Sequence, residues 1–199
     1  MEQMVTDTPF YALLSRMRYI SRWGLMRSSI PENIQEHSHE VALYAHALGI
    51  IRRDVLGKDC DAEHLAVLAL YHDASEILTG DLPTPIKYHD ASIRAAYKEV
   101  ERLAEEKLIS LLPEALRESY RPALSPKGEE AALVKAADKL SALVKCIEER
   151  KAGNREFLSA EEQTRAALTA MALPEVDWFM EHALPAFEKN LDELGAMEL

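Results

Sequence analysis

The chain has 199 residues, of which 48% are hydrophobic and 29% charged; it is long enough to bury one core and has the balance of a globular protein, which excludes a disordered or fibrous class. Its 34 acidic residues against 23 Lys and Arg leave a net charge of −11, which argues against a broad nucleic-acid-binding face. No apolar run approaches the ~20 residues needed to cross a bilayer, and the first residues, with Glu2 and Asp7, lack the basic-then-apolar order of a secretory signal, so no membrane association is expected and the cytoplasm is the expected compartment.

With only seven glycines and apolar residues recurring at intervals of three and four, nearly every long segment predicts helix, and no strand alternation stands out. Asn33 with Glu36 predicts a capping box that opens a helix with the inner stripe Val41, Tyr44, Leu48, Ile51 and Val55 and a stop at Gly57. Asp61 caps the next helix, whose inner face runs Leu65, Leu68, His72 and then Ser75 or Glu76 before Thr79-Gly80 ends it. Asp81-Leu82-Pro83-Thr84-Pro85 predicts a rigid loop, because each proline lacks a donor and biases its predecessor away from helix. A long helix over about 91–111 follows, then a short one from Pro113 to near Tyr120. Ser125-Pro126 opens a helix to about Lys151 with the stripe Leu133, Ala137, Leu140, Val144 and Ile147. Gly153 and Asn154 break it, Ser159 with Glu162 predicts a second capping box, and a last helix at Pro174 holds Trp178, Phe179 and Phe187. Cys60 falls in a polar turn and Cys146 in a helix, so they read as two unrelated reduced thiols.

The chemistry begins at His72-Asp73, which lies on a stripe that should face other helices. A buried imidazole must be hydrogen-bonded or metal-bound, and a buried carboxylate beside it is costly without a cation. A satisfied core histidine is the plain alternative. Tyr-His-Asp-Ala-Ser occurs twice, at 71–75 and 88–92; in the second copy Asp90 reads as a helix cap and His89 as a surface residue. The first copy, taken as mid-helix, puts Glu76 four residues after His72 on the same face. His37 sits in the first turn of the preceding helix, and an antiparallel pair brings it to the end of the next. His39 points about 200° round the helix from His37 and reads as solvent-facing, while His46 and His64 read as structural. Asp138 interrupts a well-packed helix; its alternative is a pair with Lys135 or Lys139. Two imidazoles and two carboxylates suit a first-row divalent ion with open positions.

In order, His37, His72-Asp73 and Asp138 resemble the metal-binding pattern of the HD-domain phosphohydrolase superfamily, an all-α helical bundle. Arg22-Trp23, Glu36-His37-Ser38, Tyr71 to Glu76 and Thr79 to Tyr88 resemble the bacterial 5'-deoxynucleotidase branch most closely, and the likeness spans about 10–194. It implies a homodimer that removes phosphate from deoxyribonucleoside 5'-monophosphates with one divalent transition metal such as Co2+ or Mn2+. By matching motif, His37, His72, Asp73 and Asp138 would hold the metal, and His37, Asp73 and Asp138 would also border the substrate. Arg22 would orient the phosphate, Trp23 would shape the pocket near the sugar, and Asp81, Leu82, Pro83 and Thr84 would line the nucleotide site. Glu76 would handle the water, with Asp81 as the competing proton-handling group. No linker marks a boundary, so one domain over 1–199 is expected, with a catalytic core of about 10–152 and C-terminal helices of about 159–194.

An Arg suits this role because its fork can grip phosphate oxygens, where Lys is a point charge. A triphosphate or alarmone hydrolase would need more cations near the motif than are in view. A non-catalytic module with a structural ion has no use for Glu76 or an open loop.

Overall fold

The structure, a computed structural model, describes residues 7–195 apart from residue 88, with residues 84 and 85 described by their backbone alone. In chain order, α1 (Pro9–Leu14) runs into a 3-10 turn (Ser15–Tyr19), and α2 (Ile34–Ile50) into a π turn (Ile51–Val55). Then come α3 (Ala62–Tyr71), the short α4 (Glu76–Thr79) and α5 (Thr84–Lys87), α6 (Ala91–Ser110), α7 (Glu114–Leu124) and α8 (Gly128–Lys151). A 3-10 turn (Arg155–Phe157) leads into α9 (Leu158–Ala170), and α10 (Pro174–His182) is followed by 3-10 turns at Leu184–Glu188 and Asp192–Leu194. Among the described residues there is no strand, only an isolated bridge between Ser21 and Asn33, so the chain is all-helical as its periodicity predicts. No described helix is long and apolar enough to cross a membrane.

The predicted caps at Asn33, Asp61 and Asp90 form. Asn33 Oδ1 accepts from the backbone N–H groups of Gln35 and Glu36, and Glu36 returns a carboxylate to Asn33 N. Asp61 accepts from His64 N and Asp90 from Ser92 N and Ile93 N. The predicted box at Ser159 does not form: Asn154 takes the N–H of Glu156 and starts the winding earlier, so Ser159 lies inside α9 and accepts from Gln163. Helix α7 runs past Tyr120 and through Pro122, because burial of Ala123 and Leu124 holds its last turn. Phe187 lies in the 3-10 turn after α10, separated by the break at Ala183. Val55 is 51% exposed; the π turn after Ile51 shifts the side-chain register and carries it off the inner stripe.

The main core lies between α2, α3, α8 and α10, with Val41, Leu48, Leu65, Leu68, Leu140, Val144 and Phe179 buried together. Helices α2 and α3 approach so closely at one end that a Cβ on Gly49 would lie 2.7 Å from Ala62 Cβ and 2.8 Å from its Cα. A smaller cluster joins Phe10, Leu108, Ile109, Leu112 and Leu124 to Ala74. This cluster fixes the turn between α3 and α4, at the opposite end of the α2–α3 pair from Gly49.

That turn corrects one expectation: His72 and Asp73 do not lie mid-helix. Helix α3 stops at Tyr71 because Ala69 O accepts both the backbone N–H and the ring Nδ1–H of His72, at 3.4 and 2.7 Å, which uses the acceptor that the next helical rung needs. The chain then tightens through three-residue bonds, Ala74 N to Tyr71 O and Glu76 N to Asp73 O, both 3.0 Å, before α4 begins.

Candidate metal centre

Each imidazole at the centre has one nitrogen committed away from it. His72 donates Nδ1–H to Ala69 O, which leaves Nε2 as the nitrogen turned to the centre; that atom is buried and lies 3.1 Å from Asp73 Oδ2. His37 is fully buried. Ser141 Oγ donates to Glu40 Oε2 at 2.5 Å, so its lone pair accepts the Nδ1–H of His37 at 3.0 Å. Tyr44 OH donates to the other Glu40 oxygen at 2.9 Å. His37 Nε2 therefore faces the centre, 3.1 Å from Asp138 Oδ1 and 3.6 Å from Asp73 Oδ2.

Helix α2 brings His37, the end of α3 brings His72 and Asp73, and α8 brings Asp138. Donor atoms of His37, His72 and Asp138 lie within 4.8 Å of one another, while Asp73 stands at the edge of this group against both imidazoles. The donor set fits a divalent ion. With both Nδ1–H groups tethered outward, Nε2 of each ring is the nitrogen left to ligate once it carries no proton, and that of His72 is buried with Asp73 Oδ2 beside it. His39 is exposed on the far side of α2, and His89 is also exposed.

The charges at the centre act strongly on one another. Burial opposes charge on His72, but Asp73 and then Asp138 outweigh it and raise the imidazole to about 9. Partial burial opposes charge on Asp73 as well, yet His72, His37 and Arg22 hold it well below the usual carboxylate range. Asp138 is brought down to about 2, because the hydrogen bond and charge of His37 overcome its partial desolvation. Glu76 goes the other way: burial, then the charges of Asp73 and Asp81, push it up to about 9, and one of its oxygens is buried without a partner. Burial also raises Asp81, with Arg22 pulling in the opposite sense.

Arg22 and Trp23 approach from the irregular stretch after the first 3-10 turn. Arg22 NH1 is 3.5 Å from Asp73 Oδ2, and its guanidinium stacks 5.9 Å from the Trp23 ring centre. Farther along this stretch, Ser29 gives its backbone N–H and hydroxyl to Glu149, which is 1% exposed and also accepts from Lys145 and Asn154. Gly80, at φ +73°, turns the chain out of α4 into Asp81. Leu82 and Pro83 are half-buried in that segment, and the side chain of Thr84 lies outside the described residues.

Three residues at the site escape a reading of the sequence alone. Ser141 sits on a buried helix face next to Leu140, and Glu40 lies one turn after His37, so a polar side chain on each inner stripe was the available signal. Glu32 gave none, because its partners Arg22 and Trp23 come from a stretch without periodicity.

Residues 9–187 match the family model described as 5'-deoxynucleotidase YfbR-like. The chain is 48% identical over 189 residues to the 5'-deoxynucleotidase YfbR of Shigella flexneri, covering 94% of this chain and 95% of that protein. It is 47% identical over 192 residues to the 5'-deoxynucleotidase VV1113 of Vibrio vulnificus, covering 95% and 99%. Among solved structures, an HD-domain phosphohydrolase from Listeria innocua superposes with a TM-score of 0.79 at 26% identity, covering 89% of this chain and 87% of that one. The cyanophage S-2L HD phosphohydrolase DatZ, solved with dA and one catalytic Zn2+ ion, superposes at 0.61 with 21% identity, covering 91% and 98%, a likeness of fold.

Proposed function

Because the chain belongs to the YfbR-like family of 5'-deoxynucleotidases, we propose that its His37, His72, Asp73 and Asp138 centre binds one divalent transition metal and hydrolyses deoxyribonucleoside 5'-monophosphates to deoxyribonucleoside and phosphate. The observation that carries the assignment is the pair of imidazoles whose Nδ1–H groups are both tethered away from the centre, leaving Nε2 of each for the ion. When bound, such an ion supplies Lewis-acid charge for the phosphate oxygens and makes water more acidic.

The chain's own residues do the rest. Arg22 spends its Nε–H on Glu32 and brings NH1 to 3.5 Å from Asp73 Oδ2, beside the centre, where a planar fork can take two phosphate oxygens. Trp23 borders the sugar, and Asp81, Leu82, Pro83 and Thr84 line the nucleoside side. With the charge of a bound cation favouring its ionised form, Glu76 would orient the attacking water and take its proton as the water oxygen bonds to phosphorus, and that proton would pass to O5' as its bond to phosphorus breaks. Its partnerless buried oxygen suits that duty, and Asp81 is the second group able to hold a proton.

We propose a homodimer, for which exposed Leu43, Val67 and Leu70 on the paired helices α2 and α3 offer apolar surface, and a cytoplasmic setting in which the unpaired Cys60 and Cys146 stay reduced. Sedimentation velocity checks the dimer. The assignment of substrate is tested by phosphate release from a panel of mono- and triphosphates, with metals returned to chelated protein. Deoxyribonucleoside monophosphates are expected to lead, and a clear preference for triphosphates would overturn it.

A further inference from the structure

Glu32 precedes α2 and is linked to the Arg22–Trp23 stretch twice over. Its backbone carbonyl accepts Arg22 N–H at 2.9 Å, and its side-chain Oε2 accepts both Trp23 Nε1–H at 2.6 Å and Arg22 Nε–H at 3.2 Å. One carboxylate oxygen thus fixes an aromatic plate and a guanidinium fork together. The side chains of Glu32 and Arg22 are only 12% and 13% exposed, so water competes little for these bonds.

Trp23 adds a second observation. Its φ is +59°, the left-handed region, which a bulky side chain occupies only when its surroundings over-determine it. Those surroundings are Glu32 on the indole N–H and the fully buried Phe157, whose ring centre lies 5.2 Å away. Neither contact belongs to the metal centre: Glu32 Oε1 lies 3.8 Å from His37 Nδ1, whose hydrogen is already given to Ser141.

We propose that Glu32 is a positioning residue that sets phosphate and sugar recognition by locking Arg22 and Trp23 into one unit. It rests on the reading that Arg22 meets the phosphate and Trp23 the sugar. Held at Nε from behind, the guanidinium can present its remaining donors in one orientation only. The indole held by the same oxygen then lies at a fixed offset from that fork, so the distance between phosphate and sugar contacts is built into the chain.

The test uses the metal-loaded protein with Glu32→Gln and Glu32→Ala. Gln keeps one amide oxygen for one of the two donors, whereas Ala keeps neither, so the effects are expected in that order. The expected result is a KM for deoxyribonucleoside monophosphates raised roughly 10- to 100-fold, the scale of a lost charged hydrogen bond, with a smaller change in kcat, a fall in preference over ribonucleotides and unchanged metal content. With two tryptophans in the chain, Trp178→Phe leaves Trp23 as sole reporter, and its indole N–H resonance should move upfield in both variants. A resonance unmoved in Glu32→Ala, which keeps neither acceptor, overturns the clamp. A moved resonance with wild-type KM and selectivity overturns its role in recognition, and loss of metal would mean that Glu32 acts on His37 instead. Wild-type protein that releases no phosphate refutes the underlying assignment, a result separable from any of these because the resonance is read without substrate.

Discussion

Replacing Ser141 by Ala should weaken metal binding without touching a ligand. The hydroxyl accepts the Nδ1–H of a fully buried His37 and hands its own proton to Glu40. Without it, the buried N–H has no acceptor, which costs about 1–3 kcal/mol. The imidazole escapes this penalty by moving its proton to Nε2, where Asp138 accepts it at 3.1 Å. That tautomer carries its lone pair on Nδ1, away from the centre, so the penalty returns only when the ion binds. Since 1.4 kcal/mol is a factor of ten, affinity should fall roughly 10- to 100-fold, the range seen for partners of ligating histidines. Competition of metal-free protein against a chelator for Co2+ measures this, with far-UV circular dichroism to check the helices. Affinity within twofold of wild type would refute the argument.

Glu76→Gln should keep its metal and bind nucleotide while turnover falls about 10²- to 10⁴-fold, the usual worth of a general base; elemental analysis and phosphate release separate the two effects, and metal loss would make Glu76 a ligand. Metal-free protein should lose stability as pH rises from about 6.5 to 9. His72, raised from 6.5 to about 9, contributes stability fully present below 6.5 and lost through 9, and the raised Glu76 acts in the same direction. Metal affinity should climb over the same window, because a ligating imidazole must be neutral; melting with and without metal across this range reads both slopes, and parallel slopes would count against the assignment. Gly49→Ala should destabilise the fold by about 1–3 kcal/mol, since its Cβ meets the Ala62 backbone at 2.8 Å; a raised melting temperature would show that α2 and α3 can part.

Periodicity and caps made most of the helices legible, because burial and capping act over one or two turns and leave spacing in the text. Asn33, Asp61 and Asp90 were readable for that reason. The end of α3 was not, since it depends on the His72 ring taking a backbone acceptor, and Ser159 failed because the competing cap at Asn154 is a matter of which turn closes first. At the site, ligand-type residues stood out as polar side chains on apolar stripes. What ties them down was hidden: Ser141 and Glu32 act through partners brought near by tertiary packing. The segment after Trp23 is likewise fixed by Glu149 from α8, a partner that no local pattern announces.

The most direct measurement is phosphate release from a deoxyribonucleoside 5'-monophosphate as Co2+ or Mn2+ is titrated into chelated wild-type, His72→Ala and Asp138→Asn proteins, with bound metal counted in parallel. The wild type should turn over in proportion to occupancy up to about one ion per chain, and both variants should lose metal and turnover together while remaining helical. Full metal content and activity in either variant would contradict the proposed centre.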